Sequence, residues 1–246
     1  MNAILGILET VGVFVAGVAA RTGIVLLVIA ALLVPVIAAG AVKRGVRWAR
    51  RRVKGLEPAG GLVYDPELRY APGHTWLKEE GSRVKVGLDD LAQRILPWAV
   101  SVQLPAPGSK VRAGATAAII SCGDREARIA SPVEGTVVAV NSAVSRDPSL
   151  VKKQTYSGGW LFAVEASDQR WSALPTGEAA RKWLRDEESR LTRRLELQLG
   201  VAAADGGEFV APPHTFLSRD EWQSLARAFL APGAAPAPVA NKAAAK

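Results

Sequence analysis

Residues Gly23 to Val42, GIVLLVIAALLVPVIAAGAV, run for 20 positions without a charged side chain. The hydrocarbon core of a bilayer, about 30 Å thick, takes about that many helical residues. Helices of water-exposed domains carry a single apolar stripe, so this run is read as a membrane span. Pro35 kinks such a helix without excluding it, because spans re-satisfy the freed backbone groups. The preceding stretch, Ala3 to Ala20, is long enough to cross as well, but Glu9 would cost roughly 2.5 to 3.5 kcal/mol at the bilayer centre. Two arrangements stay open: a helical hairpin turning at Arg21, Thr22 and Gly23, or an interfacial helix followed by one span. A cleaved signal peptide fits poorly, because nothing basic precedes the apolar run.

The next twelve residues, KRGVRWARRRVK, hold Lys43, Arg44, Arg47, Arg50, Arg51, Arg52 and Lys54 and no acid. They account for nearly all of the formal net charge of +8. Beside a span such a run is a topology signal, since cytoplasmic flanks carry excess Lys and Arg. Each cation gains about 1 kcal/mol from anionic headgroups. The bulk of the chain is therefore expected on the cytoplasmic side of the inner (plasma) membrane. Residues 55–246 are close to neutral, which leaves nucleic-acid binding without support.

Catalytic chemistry finds few residues to use. Cys122 is the lone cysteine, so an internal disulfide and a Cys-rich metal site are both excluded. The two histidines, His74 and His214, are far apart with no ligand spacing around them. Nucleophile elbow, phosphate loop and zinc motif are all missing from the sequence. The expectation is a non-enzyme without metal or cofactor.

Beyond the basic run, Gly55 to Gly73 is rich in Gly and Pro and reads as a mostly irregular linker. Val84–Val86, Ala99–Leu104 and Val137–Val140 then read as strands, punctuated closely enough by Gly and Pro for a small barrel or sandwich. Asp89 to Leu96 is a short helix with Leu91, Ala92, Ile95 and Leu96 on one face. Glu178 to Leu199 is predicted helical, with a stripe of Leu184, Leu191, Leu195 and Leu199 and an Asp186–Arg190 pair. Leu217 to Leu230 opens with Ser218 and Glu221 in capping-box spacing and sets Trp222, Leu225, Ala226 and Phe229 on one face. The low-complexity tail from Pro232 is expected to be disordered.

Four stretches carry a resemblance: His74–Leu96, Val100–Gly114, Ala130–Val144 and Asp147–Asp168. In order and nearly without gaps, they resemble the H protein of the glycine cleavage system. The resemblance implies a mainly β fold, a lipoyl-type barrel-sandwich hybrid of two small antiparallel sheets, with a lipoylated lysine on a hairpin tip. The HTW at His74–Trp76 matches the family's opening, read as a packed strand end, and GGW at Gly158–Trp160 its turn and core aromatic. The chain then divides into membrane segments 1–42, a basic stretch and linker 43–73, an H-protein-like domain 74–172, a helical extension 173–231 and the tail 232–246.

Aligned on Pro132, the position matching the family's modified lysine is Asp124, with Cys122 and Arg125 close by. Lipoylation makes an amide with a lysine amine, which a carboxylate cannot do. No lysine occurs between Lys110 and Lys152, and arginine stays protonated. Cys122 reads as an inert small hydrophobe. The expected function is a membrane-anchored, non-lipoylated binding or scaffold module whose partner is related to the glycine cleavage enzymes; the alternative is the lipoyl carrier itself.

Overall fold

Apolar residues at alternate positions dictate the strands. Along Thr116–Cys122 the inward side chains are Ala118, Ile120 and Cys122; along Arg83–Leu88 they are Val84, Val86 and Leu88. The computed structural model describes residues 55–199 and 212–232, together with Leu32. In chain order the elements are β1 (Glu57–Ala59), β2 (Leu62–Tyr64), β3 (Arg69–Ala71), β4 (Thr75–Glu80), β5 (Arg83–Leu88) and α1 (Asp90–Ile95). There follow β6 (Ser101–Gln103), β7 (Lys110–Val111), β8 (Thr116–Cys122), β9 (Arg125–Ala130) and β10 (Gly135–Val140). The last are α2 (Ser142–Arg146), α3 (Leu150–Lys153), β11 (Phe162–Ala166), α4 (Gly177–Leu199) and α5 (Arg219–Leu230).

Among the described residues, one antiparallel sheet has the order β3-β4-β5-β11-β10-β7 and a second has β6-β8-β9. Val86, Val137, Phe162 and Val164 of the larger sheet share one buried cluster with Val102, Ile120, Ala127 and Ile129 of the smaller. The architecture is therefore mainly β with helices at its C-terminal end, as the sequence implies. The expected spans apart from Leu32, the basic run Lys43 to Lys54 and the tail after Pro232 lie outside the described residues. Among the described residues no helix is long and apolar enough to cross a membrane.

The reading of Gly55–Gly73 as mostly irregular is corrected. It holds β1, β2 and β3, and β1 pairs with β2 across the turn Gly60-Gly61, where Gly60 has φ 66°. Ala59, Leu62 and Tyr64 are buried there, where α4 packs on the hairpin. Glu188 of α4 accepts the Gly61 N–H at 3.1 Å and faces Arg94 of α1 at 3.4 Å. What orders this stretch is a partner 127 residues away, invisible to local composition. The Asp186–Arg190 pair is also corrected, since Arg190 pairs with Glu187 instead, at 3.1 Å. Its guanidinium, 4.3 Å from the Phe229 ring centroid, holds it toward α5.

The other helix faces are as the spacing predicts. Leu91, Ala92, Ile95 and Leu96 are buried, as are Leu184, Leu191 and Leu195 of α4 and Trp222, Leu225, Ala226 and Phe229 of α5. Both arms of the Ser218–Glu221 capping box form. Trp222 Nε1 donates to Ile95 O at 2.9 Å, which ties α5 to α1.

His74 joins these parts. It is buried and sits at φ 53°, a left-handed conformation that side chains with a Cβ rarely adopt. Its Nδ1 lies 2.9 Å from Asp89 Oδ2, and its Nε2 lies 3.3 Å from Glu187 Oε2 on α4. Asp89 Oδ1 meanwhile caps α1 by accepting the Ala92 N–H at 2.9 Å. The imidazole also stacks on Trp183 and Phe229, with centroids 5.2 and 5.8 Å away. Burial by itself pushes the His74 pKa down, but the Asp89 and Glu187 carboxylates outweigh it and hold it up at about 9. The packed strand end read from the sequence is thus an imidazolium between two acids, one of them supplied by the extension.

Two outcomes are expected. The protonated His74 contributes stability that is fully present below its ordinary pKa of 6.5, declines as pH rises and is gone above about 9. Thermal melts from about pH 6 to about pH 10 should show this loss in the native chain and a much flatter profile in His74→Gln. A Cβ on Gly87 would overlap the Trp76 indole, whose Nε1 is held by Thr155 O at 2.9 Å. Gly87→Ala should therefore cost about 1 to 3 kcal/mol in urea unfolding.

Candidate functional site

The β8–β9 hairpin closes on two residues. Cys122 pairs with Arg125, leaving Gly123 and Asp124 as the loop, with Gly123 at φ 66°. Glycine first with positive φ is what a two-residue hairpin turn of type II′ uses. The Asp124 side chain is consequently thrust outward and is 71% exposed, with its carboxylate 4.0 Å from Arg125 Nε. Every side chain at the tip is thus glycine, acid or guanidinium, and none is an acylable amine.

Cys122 points the other way, into the core, and is 5% exposed. Burial pushes its thiol up to about 11, against a smaller opposing pull from Lys152, so little thiolate exists near neutral pH. Its Sγ has only a weak contact to Pro97 O at 3.8 Å. A thiol so placed is a packing group, as the sequence suggests.

Arg125 belongs to the tip in sequence but to the extension in contact. Its Nη2 donates to Leu217 O at 3.1 Å, and its guanidinium lies 5.5 Å from the Trp222 ring. One residue further along, Glu126 O accepts Gln223 Nε2 at 2.7 Å. Helix α5 thus packs along β9 and fastens the outgoing strand of the hairpin.

Lys152, which with Lys110 and Lys153 is a lysine the resemblance assigns to loops away from the modified position, lies near Cys122 at the turn end of this hairpin, and Trp98, not singled out by sequence reasoning, lies beside it. Lys152 is half-buried; its Nζ donates to Leu96 O at 2.9 Å and lies 5.4 Å from the Trp98 ring. Burial lowers its pKa. A lysine in the Lys152-Lys153 pair of a short helix, 28 positions from the tip, carries no local signal of that neighbourhood. Among the described residues no cluster of three His, Cys, Asp or Glu could hold a metal ion. The seven cations from Lys43 to Lys54 lie outside the described residues.

Comparison with known proteins places this arrangement. The family model described as glycine cleavage H-protein matches residues 68–187. The glycine cleavage system H protein of Xanthomonas campestris pv. campestris (strain B100) is 40% identical over 104 residues, covering 42% of this chain and 79% of the relative. That of Escherichia coli (strain K12 / DH10B) is also 40% identical, covering 42% and 81%. A crystal structure of a glycine cleavage system H protein from Mycobacterium marinum is 26% identical and covers 50% of this chain and 99% of its own, with a TM-score of 0.44. The match ends inside α4, so α5 and the segment before it are additions to the shared domain. On the two-fifths identity that spans about four-fifths of these relatives, the chain belongs to the glycine cleavage H-protein family.

Proposed function

We propose that this chain is a member of the family that carries no lipoyl arm: a membrane-anchored, cytoplasm-facing module that binds a protein partner or serves as a scaffold. Family membership makes it a carrier-like module related to glycine cleavage. The observation that carries the finer reading is Asp124, exposed at the tip of the β8–β9 hairpin where the resemblance sets the modified lysine. The lipoyl group needs an amine there, and Gly123, Asp124 and Arg125 provide none, so the residues do not fit it. Lys152, which lies near Cys122, is held to Leu96 O and Trp98. The contacts from Leu217 and Gln223 support the same reading, because they hold still a strand that flanks the tip.

The two-sheet fold suits a barrel-sandwich hybrid, and such a barrel without its arm retains a surface but no reacting group. The module is accordingly proposed to be neither enzyme nor cofactor protein. Its membrane attachment rests on Gly23–Val42, and its cytoplasmic orientation on Lys43, Arg44, Arg47, Arg50, Arg51, Arg52 and Lys54 beside anionic headgroups. A second reading, the lipoyl carrier itself, is favoured by the relatives' identity alone.

Intact mass and a lipoyl-directed blot of the natively expressed chain decide between the two. No adduct is expected on the native chain, whereas Asp124→Lys should acquire one when lipoylating enzymes are present. An adduct on the native chain would establish the carrier reading. Orientation is read separately by protease access in sealed vesicles: residues beyond about 55 should be digested only from the cytoplasmic side.

A further inference from the structure

Strand alternation at the short edge strand β7 buries Val111 and leaves Lys110 and Arg112, on either side of it, exposed. Neither cation forms an ion pair or a hydrogen bond among the described residues. Both line an open cleft of about 700 Å³, a size typical of small-molecule sites. Thr116 and Thr136 line it too, and their hydroxyls have no hydrogen-bond partner among the described residues. Thr116 begins β8, so the hairpin tip lies at the far end of that strand, about 20 Å along it.

The backbone beneath these donors is fixed. Lys110 is the register partner of Thr136, which sets the two side chains on one face, about 5 Å apart at Cβ. Arg112 O accepts the Ala115 N–H at 3.1 Å across a tight turn, with Gly114 at φ 79° in the position a type II turn reserves for glycine. That turn is pinned by the Gly114 N–H on Ser131 O and the Ser131 N–H on Ala115 O, both at 2.8 Å. Acids nearby are engaged or distant. Glu134 lines the cleft, with Oε2 3.8 Å from Nη2 of Arg170, which also holds Asp168 at 2.6 Å. Glu165 pairs with Thr136 from β11, two strand spacings or about 10 Å from β7.

We infer that this cleft binds the phosphate group of a phosphate monoester. Arg112 offers a planar fork of N–H donors and Lys110 a compact charge, the two ways proteins hold phosphate oxygens. The Thr116 and Thr136 hydroxyls donate to the oxygens that remain. A monoester carries close to two negative charges and three strong acceptor oxygens, which matches two cations flanked by two hydroxyls. A carboxylate has one charge and two oxygens and leaves part of the set unused. All four donors are open to solvent, so a ligand reaches them without any opening of the fold. A soluble ester and a phosphatidic acid headgroup display the same group. The inference goes beyond the binding-module reading and draws nothing from it.

Equilibrium dialysis of the full chain in uncharged detergent against radiolabelled glycerol 3-phosphate should show saturable binding with a Kd on the order of 1 mM. Lys110→Ala/Arg112→Ala, both at exposed positions, should keep the thermal melt and bind at least about tenfold more weakly. Lys78→Ala/Arg83→Ala removes the same charge from the β4–β5 hairpin and should hold the Kd within about twofold. The run from Lys43 to Lys54 is common to all three proteins, so label held there cancels from the comparison. Excess inorganic phosphate should displace the label and excess acetate should not. Phosphatidic acid in the micelles, against phosphatidylcholine as control, separates the sources: displacement upholds the site with a lipid as its ligand, and none upholds it with a soluble ester. Lack of saturable binding, equal binding by the Lys110→Ala/Arg112→Ala variant, equal weakening by the β4–β5 variant, or displacement by acetate overturns the inference. The lipoyl measurement stands apart from each of these results.

Discussion

An imidazole held between two carboxylates, away from water, is the contact on which the domain's layout turns. His74 occupies a left-handed backbone position at the start of β4, an arrangement that costs about 1 to 2 kcal/mol by itself. The position persists because Asp89 and Glu187 hold both ring nitrogens and Trp183 and Phe229 hold both faces. One side chain thereby fixes a strand end, the cap of α1, and the seating of α4 and α5 on the barrel. Removing either acid would strand a buried charge, so the group stands or falls together.

That arrangement also ties the C-terminal helices to the sheets. The two C-terminal helices, α4 and α5, are built into the core through Leu184, Leu191, Trp222 and Phe229. Once seated, α5 runs along β9 and takes hold of the hairpin strand through Gln223 and Leu217. A swinging arm needs an uncrowded attachment point that several enzymes can visit, whereas this tip is anchored on one side and ends in an acid. Chemistry and packing therefore argue in the same direction, although they come from different parts of the chain.

Much of this was legible in the sequence, for identifiable reasons. Helix faces obey local spacing, so α1 and α5 and the leucines of α4 could be read directly, and the Ser218–Glu221 cap needs only residues three apart. The position of Asp124 at a turn followed from a glycine and from ordered similarity to a known domain. Illegible were the contacts whose partners lie far along the chain. Glu187 reaches His74 across 113 residues, Glu188 reaches Gly61 across 127, and these set the order of Gly55–Gly73 and the charge on the imidazole. The Asp186–Arg190 pair failed because Glu187, one residue over, faces the core side where Phe229 also draws the guanidinium. Trp98 and Lys152 belonged to the site only once α3 and the turn end of the hairpin were brought together.

The β1–β2 hairpin, the first described element after residue 54, is clasped by Glu188 through the amide of Gly61. Its mechanical meaning is simple. A tug on the backbone at Gly55 enters the fold through this small ribbon and is passed sideways to the middle of a long helix, instead of peeling the sheets one strand at a time. Such a clasp loads the Glu188 contact together with the β1–β2 pairing.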